Sequence, residues 1–141
     1  MQNSASHPVS SNIRAREDPA PIAGVSLIDV DREAEALQRG GALAARGHSA
    51  TTLIRTDDFR VVLIAINAGA TVQEHQSSHG VALQTLRGRV QIHVSERVID
   101  MPAGYLISLD RDVSHEVQAV EDSVVLVSIA WPEPRASDPV P

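Results

Sequence analysis

Between residues 48 and 131 the apolar side chains recur with a period of two, in short stretches bounded by Gly, Pro, Asn, Asp or Ser. That pattern excludes helices over most of the chain, because a helix repeats its buried face every 3.6 residues. The stretches are 49–55, 60–67, 71–75, 81–86, 89–95, 97–101, 105–109, 113–119 and 123–131. In 89–95 the alternation is clean: Val90, Ile92 and Val94 on one face, Arg89, Gln91 and His93 on the other. In 60–67 both faces are apolar, with Val61, Leu63 and Ala65 against Val62, Ile64 and Ile66. Such a strand is buried on both sides. About nine short strands at regular spacing predict an all-β sandwich or barrel. Composition agrees: Val, Ile and Leu number 37 of 141 residues, and the aromatics are Phe59, Tyr105 and Trp131 alone. β-branched side chains favour strands.

Composition also excludes functions. There is no cysteine, so disulfides, thiolate metal sites and cysteine nucleophiles are ruled out. The formal charge is −6, and the twelve basic residues, all arginine, form no cluster. That excludes a nucleic-acid footprint, and three aromatics make no base-stacking platform. No apolar run reaches the roughly 18 residues of a membrane span. Residues 1–11 carry no apolar run of the kind a secretory signal needs, so a cytoplasmic location is the expectation.

Residues 1–23 are polar and predict a disordered N-terminal arm. Residues 132–141 hold four prolines and predict a flexible tail. The folded domain is then 24–131. Within it, 25–29 predicts a short strand. Asp29 or Asp31 can cap one helix through Arg32, Ala34 and Leu37, stopping at Gly40-Gly41.

Histidine leads the candidates for chemistry. His7 lies in the arm, His48 at a strand start, and His93 on a solvated strand face. His75, His79 and His115 remain. His115 shares its parity with Val113 and Val117 and should face the interior, where an imidazole needs a partner. Ser114-His115-Glu116 is no triad, since neighbours on a strand face opposite ways. Glu74 is opposite in parity to His75, and Gln84 to Val81, so both should point away from the interior.

The spacing carries more. Gly69 is followed after five residues by His75, then one and Ser77, three and Val81, six and Gly88. Fifteen residues later comes Gly104, then five and Asp110, one and Asp112, two and His115, three and Ala119. This resembles, without a gap, the two motifs of the cupin superfamily. Those are glycine, five, His-x-His, three or four, Glu, six, Gly; and glycine, five, Pro-x-Gly, two, His, three, Asn. The likeness spans 69–119 directly, and the flanking strands look like those of small bacterial single-domain cupins with a degenerate metal motif.

The resemblance implies an all-β double-stranded β-helix, or jelly-roll barrel, with one short N-terminal helix, paired as a homodimer. It implies one divalent metal (Fe, Mn, Zn, Ni or Cu) where the ligand set is kept. Here only His75 and His115 keep their motif positions. Ser77 stands for the second histidine, Val81 for the glutamate, and Asp110, Asp112 and Ala119 for the proline, glycine and asparagine of the second motif. His79 is a candidate third ligand. Otherwise His75 and His115 are hydrogen-bonded core histidines of a metal-free barrel. The first expectation is a barrel that binds a small, largely apolar ligand, with a cavity offering Ser77, Val81, Leu83, Gln84 and Tyr105, along with Val90, Ile92, Val113 and Val117. The alternatives are a metal-dependent oxygenase or isomerase using His75, His79 and His115, and a non-enzymatic sensor or regulatory barrel.

Overall fold

The computed structural model describes residues 21–74 and 78–130. Most of the expected arm and all of the expected tail, with Trp131, His75 and Ser77, lie outside the described residues.

Nine strands form: β1 His48–Arg55, β2 Phe59–Ile66, β3 Thr71–Glu74, β4 Val81–Arg87, β5 Arg89–Val94, β6 Arg97–Pro102, β7 Leu106–Leu109, β8 His115–Ala119 and β9 Ser123–Ala130. They pair antiparallel in two sheets, β1-β2-β9-β4-β7 and β3-β8-β5-β6. Period-2 patterning gives each sheet one apolar face, and the two faces meet. Ile66, Val81, Leu83, Val125 and Val127 from the first sheet pack with Val90, Ile92, Met101, Val117 and Ala119 from the second. The all-β jelly roll expected from the sequence is the fold observed.

Two short helices cover part of the outer face of the first sheet. Helix α1, Val30–Arg39, starts at Asp29, whose Oδ1 accepts from the Arg32 amide at 3.1 Å. That satisfies one of the orphan amides of the first turn. A second helix, α2, Gly41–Arg46, follows at once and ends at Gly47 in the left-handed region. Sequence reading placed only one helix here, because Gly40-Gly41 looked like its end. The chain does leave helical geometry at Gly40, but Gly41 restarts it. Ala34 and Leu43 of the helices bury Leu63 and Ala65 of β2 and Val124 of β9. This explains why β2 is apolar on both faces: one meets the barrel interior, the other the helices. Residues 25–29 form no strand with any described residue.

The motif glycines Gly69, Gly88 and Gly104 all have positive φ. Gly88, between β4 and β5, is also pressed against backbone. A Cβ there would lie 2.3 Å from the Asp122 carbonyl oxygen and 2.4 Å from Ser123 Oγ. Ser123 is fully buried and holds this corner shut, accepting from the Arg89 amide at 2.9 Å. Gly88→Ala should therefore cost about 3 kcal/mol, combining the left-handed penalty with overpacking. A urea unfolding midpoint checks this; a loss under about 0.5 kcal/mol would contradict the close approach.

Candidate functional site

Among the described residues, the interior face of the barrel is mainly aliphatic and carries the buried imidazole of His115 and the buried hydroxyl of Thr85. His115 opens β8, is 4% exposed, and registers opposite Val94 of β5 and Glu74 of β3. Its Nδ1 lies 3.2 Å from the Val113 carbonyl oxygen. A carbonyl only accepts, so Nδ1 carries the proton, and in the neutral ring Nε2 is an acceptor. Beside the ring is a small cavity of about 10 Å³ lined by Ile64, Ile66, Val72, Leu83, Val117, Val125 and Val127. Among the described residues, His115 is the only polar side chain in that lining. This volume holds about one water molecule.

The turn that delivers His115 is built by backbone conformation. Asp112 adopts φ +67°, and the Val113 amide lies 3.3 Å from the Asp110 carbonyl oxygen. Asp112 stands where the second motif has glycine. Aspartate is among the few residues that tolerate the left-handed region, at some cost. The motif position is therefore kept in conformation though not in residue type.

The expected site residues are distributed as follows. His115 and Leu83 line the cavity. Val81 is buried on the same inner face, in the barrel core, but borders the groove outside rather than the cavity. Val90 and Ile92 are fully buried core residues away from the cavity lining. Gln84 is not in that lining. It registers opposite Leu106 and Leu126 on the outer face, as its parity dictates. Tyr105 is 59% exposed and does not reach the interior, because it belongs to the turn before β7. Val113 precedes β8, is half-buried, and contributes its carbonyl rather than its side chain. His79 is half-buried in the loop before β4, with Nδ1 3.2 Å from Ser78 Oγ. His93 is half-buried rather than solvated, opposite Val98 and Glu116. His75 and Ser77 lie outside the described residues.

The pairing of β3 with β8 sets Val72 opposite Val117 and position 74 opposite position 115, where β3 ends. The cavity residues missed in the sequence are Ile64, Ile66, Val72, Val125 and Val127. Their signal was the even apolar alternation of 60–67 and 123–131, but alternation alone does not say which face looks inward.

Among the described residues, no three His, Asp or Glu side chains are grouped to hold a metal ion. The motif's carboxylate position is the buried Val81. The described donor set therefore does not fit a tightly held metal, which takes three or more protein ligands. An ion pair lies elsewhere, on the outer face of the second sheet. There Arg89 grips Asp100 with two hydrogen bonds, at 2.8 and 2.6 Å. Those bonds hold the Asp100 carboxyl below its usual range and raise Arg89.

No family model matches the chain, and no curated protein matches it. Solved structures do. An RmlC-like cupin protein from Desulfovibrio desulfuricans is 19% identical, with TM-score 0.57, covering 82% of this chain and 97% of its own. The salicylate 1,2-dioxygenase of Pseudaminobacter salicylatoxidans is 13% identical, with TM-score 0.65, covering 72% of this chain but 34% of its own. The cupin domain of an XRE-family transcriptional regulator from Enterobacter cloacae is 13% identical, with TM-score 0.55, covering 62% of this chain and 99% of its own. At these identities the likeness establishes the fold. No helix among the described residues is long and apolar enough to cross a membrane.

Two substitutions probe the site's construction. Asp112→Gly relieves the left-handed penalty and should raise unfolding free energy by roughly 0.5–1 kcal/mol. Thr85, fully buried, has an Oγ1 with no hydrogen-bond partner among the described residues. Thr85→Val keeps the shape and removes the orphan, so it should stabilise by about 1 kcal/mol in chemical denaturation.

Proposed function

We propose, on the premise that the chain has the cupin fold, that it is a ligand-binding barrel working without a resident metal. Its ligand is a small, largely apolar molecule with a single hydrogen-bonding group. One observation carries this reading: the cavity is lined by seven aliphatic side chains and one buried imidazole, His115. Among the described residues, that wall offers no carboxylate or guanidinium to a sugar, nucleotide or phosphate, and a single imidazole is too few ligands for a tightly held metal. His115 can orient one polar group, and its ring is already fixed by the Val113 carbonyl.

At about 10 Å³ the cavity holds a water and no more, so an organic ligand enters by displacing its lining. Affinity should then be modest, because part of the binding free energy goes into that rearrangement. The fold alone does not choose the function: similar barrels include a dioxygenase and a domain of a transcriptional regulator. The described chemistry at the cavity favours binding over oxygenation.

Thermal unfolding of the full chain with millimolar isobutanol, phenol or salicylate tests this. At least one probe should raise the midpoint by a few degrees in a concentration-dependent way. The rise should vanish in His115→Phe, which keeps a planar ring but removes the polar anchor. No rise with any probe overturns the proposal. So does one equivalent of Fe, Mn, Zn, Ni or Cu retained after reconstitution and lost in His115→Ala.

A further inference from the structure

Among the described residues, the cavity beside His115 is walled by five strands, and four of them are held on both sides. β2 lies between β1 and β9, β9 between β2 and β4, β4 between β9 and β7, and β8 between β3 and β5. Moving any of these breaks two ladders of backbone hydrogen bonds at once. The fifth wall is β3, which supplies Val72. Among the described residues β3 is an edge strand, paired with β8 alone over the four positions 71–74. An edge strand this short has one brief ladder to hold it. Burial follows the same division. Ile66, Leu83, Val117, Val125 and Val127 are buried, whereas Val72 is half-buried.

The two ends of β3 are held unequally. At its start the Gly69 amide donates to the Ala119 carbonyl at 2.8 Å, and the Ala119 amide donates to the Ala70 carbonyl at 3.0 Å. Gly69 has φ +84°, and no described atom lies within 4 Å of where its Cβ would stand. Glycine here answers to backbone conformation and not to crowding, and it is the residue that absorbs a change of φ most cheaply. Towards the other end, a side-chain bond to β8 runs from Gln73 Nε2 to Glu116 Oε2. It is exposed and long, at 3.4 Å. Such a bond adds little, because water competes for both groups.

We infer that β3 is the door of the cavity: it swings away from β8 about Gly69, withdraws Val72 from the lining, and admits the ligand through the wall that a single ladder holds. The inference rests on the ligand-binding reading above for what enters. It supplies the step that reading requires, since a cavity of about 10 Å³ admits no organic molecule until some of its lining moves. Opening gives up the β3–β8 ladder and the packing of Val72, and it leaves the other four walls paired. It is therefore a local event, far more frequent than unfolding of the barrel. Entry is gated as a result: a ligand binds no faster than β3 opens.

Hydrogen exchange of the full chain, followed by NMR without ligand, tests the door itself. Amides of 71–74 that bond to β8 should exchange roughly tenfold or more faster than the bonded amides of β2 and β9. Because the chain has no cysteine, Gln73→Cys with Glu116→Cys can lock the strand. These positions are directly opposed, and opposed Cα atoms on antiparallel neighbours are about 4.5–5.5 Å apart, inside the range a disulfide spans. Oxidation should slow exchange in 71–74 and leave β2 and β9 unchanged. The same lock beside the hinge, Thr71→Cys with Gln118→Cys, should slow it far less. Entry is read by saturation-transfer NMR with millimolar isobutanol, phenol or salicylate. The probe that raises the parent's unfolding midpoint should enter the oxidised 73–116 variant roughly tenfold or more slowly than the reduced form, with dithiothreitol restoring the rate. An unchanged far-UV circular dichroism spectrum shows that the fold survives the substitutions. Exchange in 71–74 no faster than in β2 and β9, or an entry rate indifferent to the lock, overturns the door. A parent that binds none of the probes overturns the ligand-binding reading instead, and hydrogen exchange still decides whether β3 opens.

Discussion

The barrel depends on one constraint: the inward faces of two antiparallel sheets must fill the space between them, and they do so mainly with aliphatic side chains. No aromatic residue among the described ones belongs to that core. Valine, isoleucine and leucine pack well on pleated surfaces because their branched side chains are stiff and fit between neighbours. The result is a nearly filled interior, with a cavity of about one water beside His115. Both the closed core and the narrow site follow from this choice of side chains. Larger aromatic groups would need wider sheet separation, and polar groups would each need a buried partner.

The spacing that resembles the cupin motifs has a conformational basis here more than a chemical one. Gly69, Gly88 and Gly104 occupy positive φ, and Asp112 adopts the same region at the fourth turn position. Turn geometry sets where each strand begins and how the next pairs, so these positions hold the fold even where ligand positions have changed. Val81 illustrates the other half. It keeps the place of a carboxylate but supplies packing, and it is buried with the other aliphatics.

Much of the fold was legible in the sequence because strand alternation records burial directly. All nine expected strands begin within two residues of their observed starts, and β2's double burial follows from its two apolar faces. The second helix was not legible. Two adjacent glycines are a strong stop signal, and six residues are too few to show helical periodicity. The segment 25–29 has strand composition, but a strand also needs an edge, and no described edge pairs with it. Tyr105 stays out of the cavity because a turn carries it to the surface, and Gln84 because of the outward parity already legible in its strand.

Period, turn residues and aliphatic composition determined that this chain forms short strands, where they turn, and that its interior holds no thiol chemistry. These are local properties, written in side-chain identity and φ preference. Only the tertiary structure decided which face of each strand looks inward, because register joins residues from distant parts of the chain. That is why position 74 pairs with position 115 and why five aliphatics from β2, β3 and β9 line the cavity.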